Sequence, residues 1–438
     1  MDQARSLPGV IGDLDNGVDP PMDPRSTTRE SGAAGALTQA GIGSARRRRT
    51  SVVEVRELKT LLGLVPAWED LAAAAIEPNV FYEHWMLIPA LEGFAGEKDV
   101  RVVLVLIHDD DATGRRPRLG ALFPLERVRA FRNLRVSALG LWQHVHCYAC
   151  TPLVRAEAAG ECVAALLRWF QSGEAGASLL ELGSIAGDGP LRRLLVDSCN
   201  DLGLLSMATD AFTRGLWSKS DAVADPGSAV SGELRRQLRR KEKRLRERGR
   251  VEHVALRADD DVGPWVEDFL RIEASGWKGS GGTALALSPA GRRYFEQVAA
   301  AAHRRGRLLM LGIDFDGRPI ARRCAFRAGE GSFAFKTAYD EEFAAFSPGT
   351  LLEVDSIRQL DALPDVRWMD SCAAPDNLLI NRISNERRTV QSLAVGAGTL
   401  GELVVSGLPL LRWTHQRILK RKSTETKEAS TCRLQIAH

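Results

Sequence analysis

A chain of 438 residues, 44% hydrophobic and 26% charged, has the length and composition of two ordinary globular domains with tails. Its 59 Lys and Arg against 56 Asp and Glu leave a formal charge of +3, so no global field marks it as a DNA binder. Seven scattered cysteines (147, 150, 162, 199, 324, 372 and 432) suit a reducing compartment, the first residues lack an apolar leader, and no uncharged apolar run approaches about 18 residues, so the sequence reads as cytoplasmic without a transmembrane segment.

Residues 1–50, rich in Gly, Pro, Ser and Asp and ending in Arg46-Arg47-Arg48-Arg49, carry too little apolar surface to order themselves. Val52–Arg56 then reads as a strand, Pro66–Ala75 and Phe81–Phe94 as helices, and Val100–Ile107 and Arg118–Val128 as strands around a polar turn. Strand Leu134–Leu139 follows, then helix Ala156–Phe170, whose Val163, Leu166, Leu167 and Phe170 share one face. Strand Leu179–Leu182, helix Pro190–Leu202 and strand Leu204–Phe212 complete the first half.

The second half repeats that order. Strand Val251–Leu256 precedes a helix with Trp265, Phe269 and Ile272 on one stripe, and a second helix starting at Ser288-Pro289. Strands Leu308–Phe315 and Pro319–Phe326 flank Asp316-Gly317, a hairpin signal. Strand Ser332–Thr337, helix Gly349–Leu360, strand Val366–Met369, helix Asn377–Arg387 and strand Thr389–Ala394 follow. Each half is therefore β-α-α-β-β-β-α-β-α-β, a central meander followed by αβ units.

Specific words accompany the pattern in the second half. Phe333-Ala-Phe-Lys-Thr-Ala-Tyr-Asp340, followed by Ser347-Pro-Gly-Thr-Leu-Leu-Glu353, resembles the bacterial GNAT (N-acetyltransferase) proteins of the FemAB-like and cellulose-biosynthesis type. Trp277-Lys278-Gly279, Gly282-Thr283-Ala284 and Trp368-Met-Asp370 fit the same group, as does the basic stretch ending Leu245-Arg-Glu-Arg-Gly249. The resemblance covers residues 52–395, with the first half matching by organisation only.

It implies an α/β fold of two tandem GNAT (acyl-CoA N-acyltransferase) domains, each a mixed, mostly antiparallel sheet flanked by helices. The expected division is a disordered tail 1–50, an N-terminal domain 51–218, a linker and basic helix 219–250, a catalytic domain 251–398, and a C-terminal helix and tail 399–438. The implied activity is transfer of an acyl group, acetyl first, from an acyl-CoA or acyl-carrier-protein thioester to an amine or hydroxyl of a small-molecule or glycan acceptor. The group is tied to cell-envelope or exopolysaccharide work. Two alternatives are an aminoacyl-tRNA-dependent transferase like the Fem enzymes and a non-catalytic binding module.

In a GNAT domain the donor lies along the fourth strand, and its pyrophosphate meets the next helix N-terminus, where free N–H groups and the helix dipole favour anions. Carried onto this chain, the strand offers Phe335 and Thr337 and the helix start offers Ser347, Gly349 and Thr350. Ser347 suits a cap, Pro348 a first turn, and Gly349 close approach of a phosphate. The usual Gln/Arg-x-x-Gly-x-Gly/Ala signature is absent there, so a carrier-protein phosphopantetheine stands beside coenzyme A as donor.

Acyl transfer to an amine needs a base for the ammonium proton and an acid for the thiolate. Tyr339 is the candidate acid or thiolate partner, and Asp340 the candidate base or acceptor anchor, unless it merely ends the strand. Strict alternation puts Lys336 opposite Phe333 and Phe335, where a buried cation needs a partner: a ligand anion, Asp370, or equally the acid of a plain structural ion pair. Asp370 closes the fifth strand and either faces the cleft or caps a turn. Trp277 and Lys278 open a Gly-rich loop expected to line the acceptor.

Three features point elsewhere. His144-Val-His-Cys-Tyr-Ala-Cys150 has metal-ligand residue types, but crowded into seven residues; no metal is expected, and the segment reads as a loop and strand edge over the cleft between domains. Leu234–Arg250 holds 10 basic and 2 acidic residues along a narrow Leu234, Leu238, Leu245 stripe. It suits a solvated helix, an acidic carrier protein, or a donor's phosphates, and the lack of stacking aromatics argues against tRNA. Leu400–Arg417 is expected to dock on the second domain.

Overall fold

The computed structural model describes residues 49–108, 117–128, 131, 134–219, 230–276, 279 and 281–409. The tail 1–48, residues beyond 409, and Trp277 and Lys278 lie outside the described residues, and the expectations placed on them with them. The described part of Leu400–Arg417 departs from its expected docking on the second domain: Val404, Val405 and Leu408 pack with Phe131, Val136, Ala138 and Leu179 of the first half and with Ala394. Among the described residues no helix is long and apolar enough to cross a membrane.

The first half runs β1 (Arg49–Val55), α1 (Leu58–Gly63), α2 (Val65–Ala73), α3 (His84–Phe94), β2 (Val100–His108), β3 (Arg118–Val128), β4 (Ala138–Leu141), β5 (Leu153–Val154), α4 (Ala159–Gln171), β6 (Leu179–Ala186), α5 (Pro190–Asp201) and β7 (Leu205–Ser218). The second begins with the basic helix α6 (Gly232–Arg246). It continues β8 (Val251–Ala255), α7 (Val262–Ser275), α8 (Pro289–Arg304), β9 (Leu308–Phe315), β10 (Arg318–Ala328), β11 (Gly331–Tyr339), α9 (Pro348–Ala362), β12 (Trp368–Asp370), α10 (Leu378–Ile383) and β13 (Glu386–Gly396). Helix starts follow the capping chemistry: Ser231, Asp261 and Ser288 accept backbone N–H groups at the heads of α6, α7 and α8.

All strands join one sheet in the order β1-β2-β3-β4-β6-β13-β7-β12-β11-β10-β9-β8, with β5 paired to β3. The order is palindromic. Each strand of the first half has its counterpart in the second at the same distance from a central seam, and the seam is β13 beside β7. The last strand of each half therefore lies in the other half's sheet, β13 against β6 and β7 against β12. The β7–β13 ladder runs from Glu386↔Leu216 to Gly396↔Leu205. Separating the halves would break it along its whole length.

This exchange explains a boundary the sequence misplaced. The apolar pattern stops near Phe212, yet β7 continues to Ser218, because its last residues Leu216–Ser218 pair with β12. Helices α7 and α8 cover one face of the second half and merge with the first half's core, where Tyr294, Phe295 and Phe326 meet Phe81 and Trp85. Helices α6 and α9 cover the opposite face over Leu311, Ile313 and Ala321.

Candidate active site

In the second half, β11 and β12 run parallel and pair only through Gly331↔Trp368, Ser332↔Met369 and Phe333↔Asp370. Beyond that point β11 stays paired with β10 as far as Tyr339, with one register shift, while β12 ends. Local chemistry forces the divergence. The Asp370 carboxylate accepts the Cys372 N–H at 2.9 Å, Cys372 is left-handed (φ 50), and the Ser371 N–H donates to Gly215 of β7. The chain leaving β12 thus follows β7 and abandons β11, opening a wedge beside residues 334–339.

A β-bulge sits at the mouth of the wedge. Cys324 pairs with Lys336 and Ala325 with Ala334, so Phe335 is the extra residue. The bulge corrects the alternation expected from sequence. Lys336 shares its partner Cys324's face, the same face as Phe333 and Phe335, and its Nζ lies 2.8 Å from Glu273 on α7. Both side chains are nearly inaccessible, 9% and 0% exposed, so the buried cation has the partner it requires. That partner is Glu273, in a structural ion pair, and not Asp370. Glu273 also accepts the Leu285 N–H beyond the α7–α8 loop.

Asp370 is fully buried and serves a different pair. Arg214 of β7 approaches it through Nε at 2.6 Å, a contact of charge, and Nη2 at 2.8 Å, a hydrogen bond; Arg388 of β13 adds Nη1 at 3.1 Å. Burial alone would raise this carboxyl's pKa, but the two guanidinium charges outweigh it and hold it below the usual carboxylate range. A carboxylate so held is a poor proton acceptor. Asp370 pins β7, β12 and β13 at the seam.

The other end of the wedge is the start of α9. Its preceding residue Ser347 is left-handed (φ 55, ψ 51) and makes no side-chain cap, which corrects the role expected of it. Its hydroxyl instead accepts Lys241 Nζ of α6 at 2.6 Å. Thr350 N–H returns to Ser347 O, Pro348 has no N–H, and the Gly349 N–H has no acceptor among the described residues. No acidic residue occupies the first turn of α9. A Cβ at Gly349 would stand 3.0 Å from the Tyr339 ring, so that ring covers the helix start. Tyr339 is thus about 13 Å of strand from the bulge at Phe335. Burial, then the Glu341 charge, raises its pKa. Asp340 ion-pairs with Arg318 and accepts the Glu342 N–H, the strand-ending arrangement weighed against a base. Thr337 donates to Glu353 at 2.6 Å, which also binds buried Arg323 at 2.9 Å and so ties α9 to β10 and β11.

The first half has the same layout without the opening. β4 and β6 pair at 138–140 and 179–181, and the wedge beyond is filled by the chain itself. Cys150 N–H donates to Ser184 O at 3.0 Å, Thr151 Oγ1 accepts the Ala186 N–H, and Asn79 grips the carbonyls of Ala149 and Thr151. Helix α4, the counterpart of α9, carries Glu161 in its first turn with Glu157 just ahead, charges that repel a phosphate.

The plugging segment also reaches the second half. His146 and Tyr148 lie 6.3 and 5.8 Å, ring to ring, from Phe335. Burial, with the charge of Lys336, lowers His146 to about 4, and burial lowers His144 to about 3, so both are neutral aromatic packing against Phe94 and Tyr294. Among the described residues no group of three His, Cys, Asp or Glu side chains is placed to hold a metal ion. Sequence reasoning missed Glu273, Arg214 and Tyr148, and reached Lys241 only as one member of the basic stretch Leu234–Arg250. Of the missed three, Glu273 left a signal, as an acid next to Ile272 on the apolar stripe of its helix.

A family model described as "Acetyltransferase (GNAT) domain" matches residues 232–377, the span that holds α6, the bulge, the wedge and the start of α9. This segment has the GNAT fold. No curated protein matches the chain in sequence. Among solved structures, FemX is similar over 78% of this chain and 96% of its own at 10% identity, TM-score 0.49. A tandem GNAT protein from the clavulanic acid biosynthesis pathway is similar over 80% and 100%, at 14% identity and TM-score 0.41. The C-terminal domain of a putative lysylphosphatidylglycerol synthetase from Agrobacterium fabrum is similar over 67% and 86%, at 12% and 0.40. Likeness at this level says nothing of substrate.

Proposed function

We infer that the GNAT domain transfers an acyl group from a pantetheine thioester to an amine or hydroxyl, with the donor arm in the β11–β12 wedge. The observation that carries this reading is the wedge itself: strand β11 leaves its parallel neighbour after Phe333 and leads to an anion-favouring helix start beside Lys241. A phosphate at α9 would meet the Gly349 N–H and the Lys241 ammonium, with the extended arm running back along β11 toward Phe335. The thioester would then lie near the bulge, beside Lys336 and Glu273. Tyr339 would touch the phosphate end, and Asp340 and Asp370 would hold the frame. Phe335, Thr337, Ser347, Gly349 and Thr350 border this path. Coenzyme A and a carrier-protein phosphopantetheine share the chemistry that it recognises.

A small-molecule or glycan acceptor would approach from the α7–α8 side. The first half, plugged and acidic at α4, would serve as scaffold. The row of exposed Arg236, Arg239, Arg240, Lys243 and Arg244 on α6 supports a polyanionic donor, an acidic carrier protein or aminoacyl-tRNA, as the alternative to free coenzyme A.

Calorimetric titration with acetyl-CoA, acetyl-carrier protein and aminoacyl-tRNA tests the reading and separates the donors. A thioester should bind, and Lys241→Glu should weaken it about tenfold or more through loss of one charge-assisted contact and gain of a repulsion. Binding of aminoacyl-tRNA alone selects the alternative; binding of none removes the enzymatic reading.

A further inference from the structure

The first half's plugging loop completes the second half's site. We propose that Tyr148 donates a hydrogen bond from its hydroxyl to the thioester sulfur as it departs. The inference rests on the donor placement above and names a residue from outside the GNAT domain.

Three elements of the second half converge on this side chain. Its ring lies 5.8 Å from Phe335 at the bulge, and it stands edge-on to Phe81 at 5.7 Å. Burial comes first in raising its pKa, and the neighbouring Cys372 thiol, beyond β12, and Glu273 carboxylate, on α7, add to it. Tyr148 therefore sits between the diverging strands, where the wedge begins. Among the described residues its hydroxyl has no hydrogen-bond partner, although the ring is half-buried.

The backbone of the loop is held as a fixed support. Arg214 Nη1 donates to Tyr148 O at 2.6 Å while the same guanidinium is locked on Asp370. Asn79 holds the carbonyls on either side of Cys150, and Cys150 N–H is bound to β6. Fixed donors aimed at developing charge lower a barrier without reorganising, and this one is set by buried contacts in both halves.

In the transfer, the acceptor nitrogen forms a bond to the thioester carbonyl carbon and the carbon–sulfur bond breaks, its electron pair going to sulfur. The ammonium of the adduct supplies the proton that yields the free thiol. Tyr148 keeps its own proton throughout, as a raised pKa requires, and acts by hydrogen bonding alone. Atoms balance without a further reactant.

The test uses the whole chain with acetyl-CoA as donor and hydroxylamine as a small acceptor, reading thiol release above the uncatalysed rate. Tyr148→Phe keeps the ring contacts. It should leave acetyl-CoA affinity and the unfolding midpoint unchanged and lower kcat about a hundredfold, with KM for acetyl-CoA unchanged. Unaltered kcat overturns the proposal while leaving thioester binding intact. A second readout is independent of turnover: saturating acetyl-CoA should slow maleimide labelling of Tyr148→Cys at least tenfold, mapped by peptide mass. Labelling that acetyl-CoA leaves unslowed, in a protein that binds it, also overturns the proposal. No acetyl-CoA binding sinks the donor placement and this inference together.

Discussion

Replacing Asp370 by Asn should destabilise the protein by about 3–5 kcal/mol, because it strips the counter-charge from a guanidinium that has no water to turn to. Arg214 is 3% exposed and Asp370 fully buried; two of the carboxylate's four contacts go to Arg214, one to Arg388 and one to the Cys372 N–H. An Asn side chain fills the same space and accepts hydrogen bonds, so the loss is electrostatic and not a cavity. Against a typical total stability of about 5–15 kcal/mol, that is a large fraction. Urea unfolding followed by far-UV circular dichroism measures it, and the double variant Arg214→Met/Asp370→Leu should recover most of the loss by removing both buried charges. The pH dependence has a fixed sign. The folded carboxyl pKa is depressed, so the stabilisation is complete above the unfolded value of about 3.9 and disappears as pH falls through the lower folded value. The gap between wild type and Asp370→Asn should therefore close in strong acid. A gap under about 1 kcal/mol at pH 7, or one that persists unchanged to pH 2, would refute the reasoning.

Gly349→Val should weaken acetyl-CoA binding at least about tenfold by calorimetry, since even a Cβ stands 3.0 Å from the Tyr339 ring at the phosphate end. His253 bridges Asp355 at 2.5 Å and Glu242 at 3.2 Å, and the hydrogen bond to Asp355 is the largest cause of its raised pKa. Its contribution is complete below the unfolded value of about 6.5 and is lost as pH rises through the higher folded value. His253→Gln should thus lower stability in urea by about 0.5–1 kcal/mol at pH 6 and by much less at pH 9. Lys336→Met should cost about 3–5 kcal/mol by taking the counter-charge from the buried Glu273 carboxylate, and Glu273→Leu in the same chain should restore most of it. Additive losses in that double variant would argue against a coupled pair.

Much of this fold was legible because period and turn chemistry carry it. The strand–helix order of both halves, the hairpin at Asp316-Gly317 and the helix start at Ser347-Pro348 followed from local pattern. Of the loop and strand edge expected at His144–Cys150, the loop is present, with His146 ring to ring against Phe335 of the second half, and no strand forms there. What pattern could not supply was the identity of strand neighbours. β7 and β13 alternate as any half-buried strand does, and nothing local says that each belongs to the other half's sheet. The bulge at Phe335 was equally silent. It inserts one residue without a Gly or Pro to mark it, and so reversed the face assigned to Lys336. Tyr148 and Arg214 were illegible for a simpler reason, that they act on residues more than a hundred positions away.

Hydrogen exchange of the whole chain with and without saturating acetyl-CoA puts the open second half and the closed first half in one experiment. Slower exchange confined to the peptides of residues 334–340 and 347–351, with β6 and the start of α4 unaffected, is the expected result. Protection at β6 or α4, or at neither half, would contradict an account in which only β11 leaves room beside it for a donor.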